Sequence, residues 1–365
     1  MQNLPLAEKT NIKNWAFEAL TLPDSVEMPT FNETDYTLPR NAILMIDGHV
    51  VHQQVDAQIT VEQTVRNHTA PENKLVVLND EKKNSVLKIT VAKNAQVKDP
   101  LSVLVFGKTR SLVHASEVVL EQGAALTLTE TFVGEGAFNA NVTARIAVGK
   151  NARLTMRTLN EFRAETVAYH RKQATVDSDG VLNTTNFLLS DANLVFEDLT
   201  YLQGKGAEAQ TKTVAISSHK QQQNVTVRME NSGEKSVGNI VNYGITKDEA
   251  HLAFNGVGKI QKDAKGCDNQ QETRLLNLSK TAEAVANPFL LIDEGDITAG
   301  HAASIGQLDE EQVYYLMSRG MTRQEASQMI VAGFLTPFVD ALEEESMRIH
   351  LAAKMQVKLE GPSLF

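Results

Sequence analysis

From about residue 43 the chain reads as short apolar or alternating runs separated by Gly, Asn and Asp, the pattern of strands bounded by turns. Ile43-Leu44-Met45-Ile46, Lys74-Leu75-Val76-Val77-Leu78, Val86-Leu87-Lys88-Ile89-Thr90-Val91, Val103-Leu104-Val105-Phe106, Ala125-Leu126-Thr127-Leu128-Thr129 and Asn224-Val225-Thr226-Val227-Arg228 are such runs. No long amphipathic helices alternate with them. A doubly wound α/β fold is therefore disfavoured, since parallel open sheets need a crossover helix after nearly every strand.

A loose repeat runs through the same region: Asn94-Ala95-Gln96-Val97, Gly123-Ala124-Ala125-Leu126, Asn151-Ala152-Arg153-Leu154, Asp179-Gly180-Val181-Leu182 and Gly206-Ala207-Glu208-Ala209. The units begin roughly 28 residues apart, and each is a turn former, a small residue, then an alternation ending on an apolar side chain. A β-solenoid that turns a corner once per coil at the same place gives this period. A β-sandwich also alternates and also turns on Gly, Asn and Asp, with signals about every 8–12 residues, and such spacings occur here too. The period leans towards the solenoid, and the pattern alone leaves both open.

The two ends differ from this middle. Residues 1 to about 40 hold one helical stretch, Ile12 to Leu20, followed by the breakers Pro23, Pro29 and Pro39. Past Pro288 helical signals take over. Asp309 and Gln312 form an expected capping box for a helix with Val313, Leu316 and Met317 on one face, ended by Gly320. Thr322 and Glu325 repeat the device for a helix with Ala326, Met329 and Ile330 inward. A third helix is expected from Thr336-Pro337, carrying Leu342 and Ile349. The helices would either cover the open end of the β-domain or offer a docking surface. The chain thus divides into an N-terminal helical or irregular segment (1–40), a β core (41–306) and a C-terminal helical subdomain (307–365).

Composition narrows the function. Of 365 residues, 42% are hydrophobic and 5% aromatic, and a net charge of -10 leaves no broad basic surface for nucleic acid. The start, Met1-Gln2-Asn3-Leu4-Pro5, lacks the basic and apolar regions of a signal peptide, and no run reaches the roughly 18 apolar residues of a membrane span. A soluble, cytoplasmic chain is expected. The single cysteine, Cys267, excludes an internal disulfide and any zinc or cluster site made from this chain's own thiolates. It reads as an incidental thiol.

Several motifs dissolve on inspection. Gly107-Lys108-Thr109 has Ser102 where a P-loop needs its first glycine, and Gly134-Glu135-Gly136 has Asn139 where a dinucleotide loop needs a small residue. Asp177 and Asp179, a pair that β-helix hydrolases or lyases would need, flank the repeat's turn and read as a solvated corner. The nine histidines show no paired zinc spacing, and His49 and His52 lie near a turn at Gly48. His301 differs, sitting among small residues in Asp296-Ile297-Thr298-Ala299-Gly300-His301-Ala302-Ala303-Ser304-Ile305-Gly306. Small neighbours let another backbone or a ligand approach the imidazole.

That stretch, extended from Asn287-Pro288-Phe289-Leu290-Leu291-Ile292-Asp293-Glu294-Gly295 through to Leu308-Asp309-Glu310-Glu311-Gln312-Val313-Tyr314-Tyr315-Leu316-Met317-Ser318-Arg319-Gly320, resembles the carboxy-terminal signature of the SufB/SufD family. Gln270 to Ser279 resembles the strand before it, and the similarity spans roughly residues 40 to 350. Leu275 stands where SufB-like chains place a cysteine, and Ala302 where they follow the histidine with glutamate, so the resemblance is to the SufD side. Ala299 stands where some SufD chains carry a cysteine.

The resemblance implies a right-handed parallel β-helix flanked by helices, acting as a non-catalytic scaffold of iron-sulfur cluster assembly. It implies pairing with a SufB-like subunit, binding of a SufC-like ATPase through the C-terminal helices, and ATPase dimerisation that strains the subunit contact. A transient cluster would be shared with the partner, whose thiolates would join the His301 imidazole as iron ligands. Self-pairing of the isolated chain and a flavin in the complex both stay open, and nothing in the sequence indicates the flavin. The competing readings are a cytosolic carbohydrate-active β-helix enzyme and a metal-free homomeric structural module.

Overall fold

The computed structural model describes residues 38–67, 73–108, 111–134, 139–164, 166–340, 342 and 344–360. The helical stretch expected at Ile12 to Leu20 lies outside them. The described residues begin with β1 (Ala42–Ile46), β2 (His49–Gln54), β3 (Ile59–Glu62), α1 (Lys74–Lys82), β4 (Ser85–Val91) and β5 (Leu101–Gly107). Each further coil then adds two strands: β6 (Ser111–Leu120) and β7 (Ala125–Gly134), β8 (Asn139–Val148) and β9 (Arg153–Phe162), β10 (Val167–Val176) and β11 (Val181–Leu188). Next come β12 (Asn193–Leu202) and β13 (Glu208–Ser217), β14 (Gln222–Asn231) and β15 (Val237–Thr246), β16 (His251–Ile260) and β17 (Cys267–Asn277), β18 (Glu283–Ile292) and β19 (Ile297–Gln307).

Odd strands stack in one sheet in the order β19-β17-β15-β13-β11-β9-β7-β5-β1-β2, and even strands in the other in the order β18-β16-β14-β12-β10-β8-β6-β4-β3. From β4 onward every stacking contact is parallel, so the chain is a two-sheet parallel solenoid and the sandwich alternative falls. Antiparallel pairing is confined to the first end, where β1 meets β2 and β3 meets β4.

The corners explain the repeat. Asn94, Gly123, Asn151, Asp179 and Gly206 all have φ between +54° and +70°, a conformation open to Gly and tolerated by Asn and Asp. Each corner amide donates to a carbonyl of the next coil: Asn94 N to Gln122 O, Gly123 N to Lys150 O, Asn151 N to Ser178 O, Asp179 N to Lys205 O. The column continues through Lys235 and Gly266, and the sequence repeat breaks at Lys235 because lysine is no turn former. The small residue after each corner is buried, as in Ala95, Ala124, Ala152 and Ala207, then Ser236 and Cys267. Cys267 is thus a corner filler, with Sγ 3.2 Å from Ser236 Oγ and 3.1 Å from Gly233 O.

Between the sheets, in-register rows such as Leu126, Leu154, Leu182 and Ala209 form the main apolar core. Fully burying one such Leu contributes about 1.5–3 kcal/mol. Charges share this interior. Lys172 Nζ lies 2.8 Å from Asn186 Oδ1 and 3.2 Å from Asp198 Oδ2, all three buried.

The run at Lys74 to Leu78 is a helix and not a strand. Asn73 caps α1 by accepting from Val76 N, and the helix lies on the outer face of the even sheet. There Asn79 Nδ2 donates to the carbonyls of His114 and Asn141, while Leu75 packs with Tyr169 and Val195. This anchoring outweighs the β-propensity of the valines.

The C-terminal helices are α2 (Glu310–Ser318), α3 (Arg323–Val339) and α4 (Glu345–Glu360). Val331, Leu335, Phe338, Leu351, Met355 and Leu359 pack on the outer face of the odd sheet, against Leu159, Phe187, Val214, Ile216 and Ile245. They therefore flank the solenoid and do not cover its open end. Asp309 caps α2 alone, accepting from Glu311 N and Gln312 N, whereas Thr322 and Glu325 make the full reciprocal box. The third helix does not start at Pro337, which lies in the last turn of α3. There it removes a single i to i−4 bond, and the helix runs on to Val339. Val313, Ala326 and Leu342 are buried as expected, but Met317, Met329 and Ile349 are exposed.

Candidate functional site

The signature stretch forms the last coil. Asn287 to Ile292 lies in β18 and Ile297 to Gly306 in β19, and each strand has one sheet neighbour, β16 and β17 respectively. Register fixes which side chains face the interior. His301 stacks on Gln271, which stacks on Ile240 and then Thr211, all buried between the sheets. His301 therefore occupies an inward column with no coil above it, and it is exposed. Ile305 lies in register with buried Leu275 and is 51% exposed.

The same edge shows Leu291 and Ile292 at 45% and 38% exposure. Unpaired strand edges with apolar side chains template further strand pairing, and solenoids otherwise close such ends with polar caps. Gly300 brings the backbone close to Gln270, whose Oε1 would sit 2.6 Å from an added Cβ. Smallness here thus serves close approach within the sheet and leaves the open side of the histidine clear.

The other candidates separate from this end. Asp177 and Asp179 are exposed at a corner, as expected of solvated turn residues. His49 and His52 lie in β2 and are half-buried. Leu275 is buried four residues along β17 from the Gln271 that pairs with His301, so no second donor reaches the histidine from that position. Ala299 and Ala302 add none. Among the described residues no three His, Cys, Asp or Glu side chains come together to hold a metal ion. No described helix is long and apolar enough to cross a membrane.

The exposed apolar edge was foreshadowed by Leu290-Leu291-Ile292, whose apolar run needed the register to become informative. The chain is thus a parallel solenoid whose last coil lies open, with one imidazole on its inner row. Comparison gives the lineage. Residues 104–334 match the family described as SUF system FeS cluster assembly, SufBD core domain. The iron-sulfur cluster assembly protein SufD of Bacillus subtilis (strain 168) is 30% identical over 98% of this chain and 90% of its own length. SufD of Escherichia coli (strain K12) is 25% identical over 76% of this chain and 67% of its own. An iron-sulfur cluster assembly SufBD family protein of Mycobacterium bovis is 26% identical over 76% and 72%. The chain belongs to the SufB/SufD family and is most like SufD, which places it in iron-sulfur cluster assembly.

Proposed function

We propose that the chain is a non-catalytic, cytoplasmic scaffold whose open coil is completed by a SufB-like subunit, with a SufC-like ATPase docked on its C-terminal helices. The observation that carries this is the uncapped last coil: β18 and β19 end both sheets while exposing Leu291, Ile292 and Ile305. A strand pair from a partner would satisfy the free backbone groups and bury these side chains together.

In that contact His301 lends an imidazole nitrogen to a nascent cluster, the cargo of the complex, and thiolates come from the partner. One nitrogen donor from this chain suits transient holding, since a cluster bound by four ligands of one protein would be slow to leave. The prediction is that His301→Ala folds and assembles normally but lowers cluster formation on the reconstituted complex, read by absorbance and iron content. Unchanged cluster yield removes His301 from the mechanism.

ATPase docking is assigned to the exposed side of α2 and α3, where Tyr314, Tyr315 and Met329 are uncovered while Val331 and Leu335 hold the helices to the sheet. Met329→Glu combined with Tyr314→Ala should abolish pull-down of the SufC-like ATPase at unchanged thermal stability. Full binding by that double variant contradicts the assignment. No step of this scheme uses a flavin.

A further inference from the structure

Deep between the sheets, away from the open coil, polar groups gather in an otherwise apolar core. Neither carboxyl oxygen of the fully buried Glu130 has a hydrogen-bond partner, nor do Ser116 Oγ, Thr158 Oγ1, Asn160 Nδ2, His114 Nε2 and His170 Nε2. These atoms belong together. Thr158 stacks on Glu130 in register, and Ser116 lies near enough to favour its charged form. His114 and His170 both pack edge-on against Phe132, two residues along β7, with ring centroids 5.6 and 4.9 Å away. Asn160, in register with Phe132, holds His170 Nδ1 at 3.0 Å.

Leaving so many buried donors and acceptors unmade is costly, and natural interiors satisfy such groups with ordered water. The inner row across from Glu130 is small where it runs from Ser116 to Ala144 before reaching Lys172. A metal is not indicated, because no three ligating side chains among the described residues are placed to share one. The column of Glu130 also continues as Thr158, Asn186, Thr213, Asn242 and Thr273, a polar row that ends at Ala303 in the open coil.

We propose that the solenoid interior around Glu130 is a hydrated proton-binding site, in which ordered water joins the Glu130 carboxyl to Ser116, Thr158, Asn160 and the two histidine Nε2 atoms. The charged and titratable groups facing it are His114 from β6 and His170 and Lys172 from β10, with Asp198 of β12 paired to Lys172; β5, β8 and β9 contribute Val103, Ala144 and Thr158. Burial keeps both histidines neutral, His114 with a pKa lowered to about 3. Burial raises Glu130 to about 7, against the opposing pull of Lys172 and Ser116. Glu130 is thus the group of this native cluster that changes charge near neutrality.

The sign follows from linkage. A carboxyl raised from 4.5 to about 7 on folding keeps its proton in the native state while the unfolded chain loses it. The folding constant should therefore fall by about tenfold per pH unit between those values and level off above them. In thermal or urea unfolding of the full chain from pH 5 to 8 this fall should appear in the stability of the wild type relative to E130Q; buried neutral His114 and His170, which only the unfolded chain protonates below about 6.5, act in the opposite direction in both proteins and cancel in the ratio. The carboxyl groups of Glu161 and Glu230, held below their ordinary range, titrate beneath this window. Infrared spectra of the wild type supply the second readout, independent of the variant's folding. A protonated carboxylic acid band should titrate near neutral pH and shift within the mixing time in D2O. A wild-type to E130Q stability ratio that does not change with pH overturns the proposal, as does a carboxyl band that exchanges only on global unfolding. A crystal structure with a dry interior or a metal ion at Glu130 would overturn it equally.

Discussion

Backbone direction in the last coil yields a sharp perturbation, Ala303→Pro. Asp268 N donates to Ser236 O, and before it Val237 N donates to Ala207 O, so the residue opening each strand bonds back to the preceding coil. Asp268 pairs with Thr298 in an unbroken register. Parallel strands alternate the neighbour that successive residues address, so Thr298, Gly300, Ala302 and Ser304 face β17, and Ala299, His301, Ala303 and Ile305 carry their N–H groups on the open side. Proline at 303 removes one free donor and pushes its ring towards an incoming strand, and it breaks no bond to β17. With two or three pairing bonds lost at about 1 kcal/mol each, binding to the SufB-like subunit should weaken by ~2–3 kcal/mol, roughly 30- to 150-fold. Calorimetric titration measures the affinity, and a thermal melt of the free chain should move by only a few degrees. Ala302→Pro is the control, because it costs a bond to β17 and should destabilise the free chain. If Ala303→Pro binds like wild type, the last coil does not pair by its edge.

Other expectations follow from the interior and the helix contacts. Lys172→Met strands Asp198 and Asn186 in the core and should cost about 3–5 kcal/mol in urea unfolding. Asp179→Val places a β-branched residue at φ +54° and should cost about 1–2 kcal/mol, whereas Asp179→Gly should be close to neutral. Glu161 holds α4 through His350 and through Lys354 at 3.0 Å. Although burial alone would raise its pKa, these partners hold it below its ordinary 4.5, so their stabilisation is present above that value and fades as pH falls beneath it. Hydrogen-exchange protection across 345–360, taken relative to the intrinsic rate at each pH, should fall below about pH 4.5 in wild type, and Glu161→Gln should remove that dependence. Cys267→Ser should leave stability within about 1 kcal/mol and cluster assembly unchanged, since Ser236 already fills the equivalent corner.

The corner rule was legible because it is local: only a residue tolerant of positive φ fits, and Asn94, Gly123, Asn151, Asp179 and Gly206 announce themselves. Lys235 takes the same conformation with no compositional signal, so the repeat faded where the coils lengthened. The parallel stacking needed long-range register, and Gln271 under His301 is adjacent only through that register. Leu75-Val76-Val77-Leu78 misled because Asn73 and Asn79, polar residues with buried partners, decide the helix. Pro337 misled because a proline in the last turn of a helix removes only one backbone bond, so it can end a helix as well as begin one. The buried cluster at Glu130 could not be read at all, since alternation marks a position as inward without saying that its neighbours leave it unpartnered.

The most direct test of the open-coil account is residue-resolved hydrogen exchange of the full chain with and without a SufB-like subunit. The amides of Ala299, His301, Ala303 and Ile305 should exchange fast alone and slow sharply in the complex, while those of Gly300, Ala302 and Ser304 change little. A complex that forms with the first set still exchanging freely would contradict it.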